Sequence, residues 1–325
     1  MTRPNRPRYA ARLNAFKALV PGRASAADLI AAAGEVAGLD AADLNYPDHV
    51  EGTSPADLSR HLGDAGLALN GLAMRYYTDP GFKLGAFTHP DPAIRRAAID
   101  VTKRGIDAGL EMGGALMTLW MGQDGFDYAF QMDYARAWDD TVAAIAEICD
   151  HDPSVDIAIE YKPNEPRAFA FMPDVGTTLL ACREVDRPNL GVTLDFAHVL
   201  YADEMPAHSA SLIARHSRLL GLHLNDGYGK RDDGLMAGSV HPVQTVELLV
   251  EMLRQGYDGV IYFDTFPDQG GLDPRAEAAT NVILIERLRK VAEALAADAS
   301  LAEAIAQQDA AASSRIVATA LYGTG

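Results

Sequence analysis

Four candidate strands in the C-terminal half of the chain each carry a residue that packing alone would not choose. The run Ile157-Ala158-Ile159-Glu160-Tyr161-Lys162 finishes on a carboxylate and an ammonium. Val192-Thr193-Leu194-Asp195 finishes on a carboxylate, with His198 three residues later. Leu222-His223-Leu224-Asn225-Asp226 holds an imidazole inside an apolar run, and Ile261-Tyr262-Phe263-Asp264 ends on a further carboxylate. Alternate residues of a strand share a face, so Glu160 and Lys162 point the same way. Glu160, Asp195 and Asp264 gathered in one mouth would repel strongly without a cation among them. Three carboxylates and one imidazole, His223, suit Mn²⁺ first, with Mg²⁺ or Co²⁺ as alternatives, and suit a structural zinc poorly. A single aspartate after a strand is commonly a helix cap or turn former, and a single histidine in an apolar strand a satisfied core residue. Four such residues on four consecutive strands point instead to a metal site. Close by, His198 and the loop Gly227–Ser239, with Lys230, Arg231, Asp232 and Asp233, offer His198 and Asp232 as ligands of a second cation.

The elements that position these groups alternate along the chain. Candidate strands are Ala11–Phe16, Ala41–Asn45, Leu67–Met74, Gly114–Trp120, Val155–Tyr161, Gly191–Phe196, Leu219–Asn225 and Gly259–Asp264. Between and after them, apolar residues recur at helical spacing over Ala24–Ala37, Pro55–Ala65, Pro92–Leu110, Asp133–Asp150, Val175–Val185, Pro206–His216, Pro242–Gln255 and Glu277–Leu295. Strict alternation argues a parallel sheet with right-handed crossovers, and the count of eight favours a closed (β/α)₈ TIM barrel over an open sheet. An open sheet would usually show a glycine fingerprint after its first strand. Here Lys17-Ala18-Leu19-Val20-Pro21-Gly22 is no phosphate loop. The predicted organisation is one barrel over residues 1–295 and a C-terminal helical tail over 296–325, the latter Ala-rich with Leu301 and Ile305 at helical spacing.

Composition narrows the partners. A chain of 325 residues with 48% hydrophobic and 22% charged residues is an ordinary globular protein. Its net charge of −17 repels phosphate backbones and anionic lipid, and no basic run offsets it, so neither nucleic acid nor membrane is expected as a partner. Cys149 and Cys182 are too few for a disulfide framework and read as inert buried thiols. The basic stretch Met1–Ala10 lacks the apolar core of a signal peptide, and no apolar run reaches the length of a membrane span, so the cytoplasm is the expected location.

The string Glu160-Tyr161-Lys162-Pro163-Asn164-Glu165-Pro166-Arg167 resembles the Glu-Pro-Lys-Pro-Asn-Glu-Pro-Arg signature of the xylose isomerases. The stretches His223–Asp226 and Asp232-Asp233-Gly234-Leu235-Met236-Ala237-Gly238-Ser239 are similar to the broad-specificity bacterial L-rhamnose isomerases of the same superfamily. So are Phe82–Gly85, His89–Arg95 and Trp120–Gly122, and the resemblance runs from about Leu67 to about Pro267. It implies that Glu160, Asp195, His223 and Asp264 hold the metal that grips substrate hydroxyls. It implies that Lys162 hydrogen-bonds the sugar carbonyl oxygen, that His198 and Asp232 ligate a second metal, and that Trp120 walls the reacting carbons from water. Asn225, inside the matching segment, is expected to bind substrate. A homo-oligomer, tetramer or dimer, is implied as well. Two departures stand out: the loop's second aspartate, two residues past Asp232, is replaced by Gly234, and Leu69–Met74 has no histidine of the kind linked with ring opening. Asp233, turned in, or a water is a possible substitute for the missing acid, and without either the second site is weak.

The expected activity is metal-dependent interconversion of an aldose and its 2-ketose. Lys162 would polarise the carbonyl. Hydrogen would move as hydride, with a hydroxide on the metal held by His198 and Asp232 taking the hydroxyl proton, or through an enediol with Glu160 or Asp264 as base. The rivals on the same barrel are a ketose 3-epimerase, which uses one metal and two opposed glutamates, and an inosose-type dehydratase. Outside enzymes the rival is a sugar-binding barrel, against which a buried ammonium beside a cation argues. Identity of the sugar rests on the loops around Lys17–Arg23, Tyr46–Thr53 and Arg75–Phe87, where Arg75, Tyr76 and Tyr77 are candidate contacts to hydroxyls or phosphate.

Overall fold

Strands buried on both faces must be nearly unbroken apolar runs, and helices that cover them must be amphipathic. The computed structural model, which describes residues 6–323, bears out that division. The strands are β1 (Arg8–Arg12), β2 (Ala41–Tyr46), β3 (Ala68–Met74), β4 (Leu116–Trp120), β5 (Gly125–Phe126), β6 (Asp156–Glu160), β7 (Phe169–Ala170), β8 (Leu190–Asp195), β9 (Leu219–Leu224) and β10 (Val260–Phe263). Eight of them close into a barrel in the order β1-β10-β9-β8-β6-β4-β3-β2, each neighbouring pair parallel. This is the (β/α)₈ barrel expected from the alternation.

The helices that return the chain are α1 (Ala26–Gly34), α2 (Pro55–Asp64), α3 (Pro92–Glu111), α4 (Tyr134–Cys149), α5 (Val175–Val185), α6 (Phe196–Tyr201), α7 (Pro206–His216), α8 (Pro242–Gln255), α9 (Pro267–Gly270) and α10 (Pro274–Ala296). Proline opens five of the long ones, where its missing N–H costs nothing. Aspartates cap α3, α4, α5 and α10 through side-chain bonds to first-turn N–H groups. Cys149 and Cys182 are buried, and burial pushes their thiols up to about 12 and about 11.

One expectation needs correction, and two details go beyond the sequence reading. The first strand spans Arg8–Arg12 rather than Ala11–Phe16, and Leu13–Leu19 is a 3₁₀ helix. Leu13, Ala15 and Phe16 are all buried, a pattern that alternation does not explain and a tight i,i+3 turn does. Arg12 and Asn14 thereby stand at the barrel mouth. The tail is two helices, α11 (Ala299–Ala306) and α12 (Ala310–Tyr322), because Asp298 and Asp309 each cap a fresh start. Leu301 joins the barrel's apolar core, and Ile316, Val317 and Leu321 pack against it. Finally β5 and β7 form a small antiparallel pair outside the barrel, too short to read from periodicity. The first five residues of the Met1–Ala10 stretch and the last two of the tail lie outside the described residues. Among the described residues no helix is long and apolar enough to cross a membrane.

Strand packing leaves no room at Gly191 of β8, where a Cβ would come within 2.5 Å of the Arg218 carbonyl oxygen. A backbone neighbour cannot swing aside, so Gly191→Ala is expected to cost about 1–3 kcal/mol in urea unfolding, with m unchanged.

Candidate metal centre

The four ligand candidates arrive on adjacent barrel strands. Glu160 ends β6, Asp195 ends β8, His223 lies in β9, and Asp264 follows β10. Parallel register sets Asp195 beside His223, and His223 beside Tyr262. The four offer ligand atoms that all lie within 4.8 Å of one another. His223 Nδ1 is 3.3 Å from Glu160 Oε1 and 3.9 Å from Asp195 Oδ2, with its ring against Tyr262. Asp264 Oδ1 is buried and accepts no hydrogen bond. An orphaned carboxylate oxygen among two other carboxylates and an imidazole is a donor set that fits a hard divalent cation.

The electrostatics agree. Burial pushes Asp195 up to about 7, against the pull of His198, and raises Asp264 above the usual carboxylate range. Burial would raise Glu160 too, but His223, His198 and Arg75 outweigh it and hold Glu160 at about 2. Burial opposes charge on His223 as well, yet Glu160, Asp264 and Asp195 lift it to about 9. Two of the three acids are thus driven toward neutrality by burial, a cost that a cation among them would offset.

Lys162 shares this mouth, as its spacing from Glu160 predicts. Its Nζ lies 3.1 Å from Asp232 Oδ2 and 3.1 Å from Glu165 Oε2, and these two carboxylates keep it charged against burial. It also stands 5.8 Å from the centre of the Trp120 ring. Trp120 is flanked by Arg75 and, edge-on, by Tyr77, and Gly122 makes room for the indole: a Cβ there would overlap the ring. The cavity, about 180 Å³, is lined by Arg12, Asn14, Arg75, Tyr77, Trp120, Glu160, Lys162, His198, Asp232, Asp264 and Phe266. Of the candidates Arg75, Tyr76 and Tyr77, the first and last reach it, while Tyr76 is buried with its hydroxyl on Thr102.

His198 is placed by the cap of α6. The carboxylate of Asp195 accepts its backbone N–H at 3.0 Å, which turns the ring over the mouth. Its Nδ1 faces the Tyr161 carbonyl at 3.0 Å and its Nε2 faces Asp232 Oδ2 at 3.2 Å. Burial opposes charge on the ring, but Asp195, Asp232 and Glu160 lift it to about 10. Asp232 is delivered by a loop latched at its base. Asp226 and Leu235 exchange backbone hydrogen bonds, and the fully buried Asp226 carboxylate accepts from the N–H groups of Gly227, Val240 and His241. Sequence reasoning held Asp226 only as part of a run; an aspartate directly after a strand and before a long loop was the available signal.

Two candidates are engaged elsewhere. Asn225 is not among the residues lining the cavity: its amide nitrogen donates to both Asp195 oxygens and the Asp264 carbonyl, and its oxygen accepts from Ala197. These bonds make it an orienting partner of Asp195. Asp233 does not turn in beside Asp232, because its oxygens accept from the Tyr228 N–H and Arg231 Nε. The Arg167 of the signature string is explained as a strut, bonding Asp127, the Gln123 carbonyl and the Lys83 carbonyl.

Leu69–Met74 indeed has no imidazole, but His49, after β2, stands behind Asn14. Its Nδ1 accepts the Asn45 N–H at 3.0 Å, so Nε2 carries the proton and donates to Asn14 Oδ1 at 2.9 Å. Burial, with Lys17, Arg75 and Arg12 nearby, pushes its pKa down to about 3. The folded state therefore refuses a proton that the unfolded chain takes up below about 6.5. Stability from this group is present at neutral pH and is lost from about pH 6.5 downward, by up to ~1.4 kcal/mol per pH unit. The stability gap between wild type and His49→Gln, measured by urea unfolding, should narrow between pH 6.5 and pH 4.

The comparisons with known proteins fit this geometry. The family description "Xylose isomerase-like TIM barrel" matches residues 28–300. The chain belongs to that family. A xylose isomerase of Thermus thermophilus is 31% identical over 258 residues, covering 75% of this chain and 65% of that enzyme. This chain thus spans just under two thirds of that relative's length. A xylose isomerase of Thermus caldophilus is 31% identical over 284 residues, covering 80% of this chain and 72% of that one. Among solved structures, a D-allulose 3-epimerase from Methylomonas sp. superposes with a TM-score of 0.67 at 18% identity, over 88% of this chain and 99% of the other. That likeness is one of fold.

Proposed function

We propose that this member of the xylose isomerase-like family is a divalent-metal-dependent sugar isomerase that interconverts an aldose and its 2-ketose. The observation that carries the reading is the ammonium of Lys162, fixed by Asp232 and Glu165 in the same small cavity as Glu160 and Asp264. The 31% identity to proteins named xylose isomerase supports it. Mn²⁺ is the preferred ion on the oxygen-rich donor set of Glu160, Asp195, His223 and Asp264. When bound, the ion supplies Lewis-acid polarisation of substrate oxygens.

The chain's own residues supply the rest. Lys162 presents a positive charge, fixed in advance, where the carbonyl oxygen gains negative charge. Trp120, backed by Tyr77, covers the carbons that exchange hydrogen and keeps water from them. His198 donates to Asp232 and keeps that carboxylate oriented toward Lys162. In an enediol route Glu160 or Asp264 holds the transferred proton; in a hydride route neither does. Arg12, Asn14 and Arg75 remain for the sugar's distal hydroxyls.

The test is a panel of aldoses and ketoses incubated with Mn²⁺, Mg²⁺ or Co²⁺ in D₂O. Aldose–ketose exchange is expected. Deuterium at C1 or C2 of product selects the enediol route, and its absence the hydride shift. Inversion at C3 without aldose formation would replace this reading with a ketose 3-epimerase.

A further inference from the structure

We infer that this chain holds a single divalent cation, and that the Lys162 ammonium stands where the family resemblance implies a second. The inference rests on the reading of Glu160, Asp195, His223 and Asp264 as the first cation's site. Around His198 and Asp232 the donors run out. His198 has turned Nδ1 to the Tyr161 carbonyl, so only Nε2 faces the mouth. Asp232 offers one carboxylate, and its Oδ2 already lies 3.1 Å from Lys162 Nζ. Asp195 has no oxygen to spare for bridging. Its Oδ1, the oxygen nearer His198, accepts both the His198 N–H and the Asn225 amide.

The position that would complete the set is blocked by shape. Gly234 has φ of +56°, and a Cβ there would overlap the Phe266 ring. That ring is fixed: the Phe266 N–H donates to the Gly234 carbonyl at 2.8 Å, and the Arg12 guanidinium lies 4.7 Å over its centre. An acid at 234 would have to displace it. Asp233 is engaged by Tyr228 and Arg231. Two protein donors would leave a second divalent cation to draw most of its shell from water, and the Lys162 ammonium 3.1 Å from Asp232 Oδ2 opposes it with like charge. One donor atom is left over: Asp232 Oδ1 is buried without a hydrogen-bond partner, a single oxygen that by itself does not complete a cation's shell beside the ammonium.

Stoichiometry decides the matter. The whole protein, stripped with chelator and dialysed against Mn²⁺, is analysed by mass spectrometry for bound metal and by electron paramagnetic resonance. One Mn²⁺ per chain is expected, with the six-line spectrum of an isolated ion, and the same single ion in Asp232→Asn. Two ions per chain in wild type, one of them lost in Asp232→Asn, would overturn the inference and leave the isomerase reading standing. No bound ion in wild type would overturn both.

Discussion

Lys162→Met should lower turnover of the preferred sugar by about 10²–10³-fold or more while its Mn²⁺ content stays that of wild type. The magnitude is that of removing one fixed donor from a developing oxyanion. Methionine keeps the length and apolar stem of lysine and deletes only the charge. The metal is spared because Nζ contacts Asp232 and Glu165, neither of which belongs to the four-residue ligand cluster. KM should move less than kcat, since the charge matters most when the carbonyl oxygen is most negative. A wild-type rate in this variant would remove Lys162 from the chemistry and return the barrel to a binding role. Loss of metal together with rate would mean instead that the ammonium supports the ligand cluster itself.

Asp264→Asn should weaken Mn²⁺ binding by more than the about 10–100-fold that loss of an outer partner brings, and should abolish activity at ordinary metal concentrations. The same substitution should stabilise the metal-free protein. Burial raises the Asp264 carboxyl above its unfolded value, so its charged form destabilises the fold at neutral pH, and asparagine removes that charge. Thermal unfolding with and without Mn²⁺ checks both halves at once. Wild type should gain Tm with metal, following the linkage between binding and folding. Asp264→Asn should start higher and gain little. A metal-dependent gain equal to that of wild type would exclude Asp264 as a ligand.

The chemistry of the second half of the barrel was legible because an ionisable side chain at the end of an apolar strand is seldom placed there by packing. Glu160, Lys162, Asp195, His223 and Asp264 announce themselves by type alone, and strand register then brings them together. The mouth residues of the first half were not legible. Arg12 and Asn14 were hidden by taking Ala11–Phe16 as strand, since a short, partly apolar run fits a 3₁₀ turn as well as a pleat. Asn225 was expected to contact substrate because it lies inside the segment that resembles the family. Only the geometry shows that each of its polar atoms is already engaged. Gly234 was legible as a departure from the family pattern. Its cause, the Phe266 ring packed on it, lies far along the chain and has no local signature.

The strand order splits the mouth into two estates. The four candidate ligands come from β6, β8, β9 and β10, which are consecutive around the barrel, while Arg12, Asn14, Arg75, Tyr77 and Trp120 project from the arc of β1, β3 and β4. On the proposed reading, change at Asn14 or Tyr77 could alter which sugar is accepted and leave the ligand cluster alone, whereas Arg12, 3.9 Å from Asp264, and Arg75, which helps keep Glu160 charged, bind the two estates together.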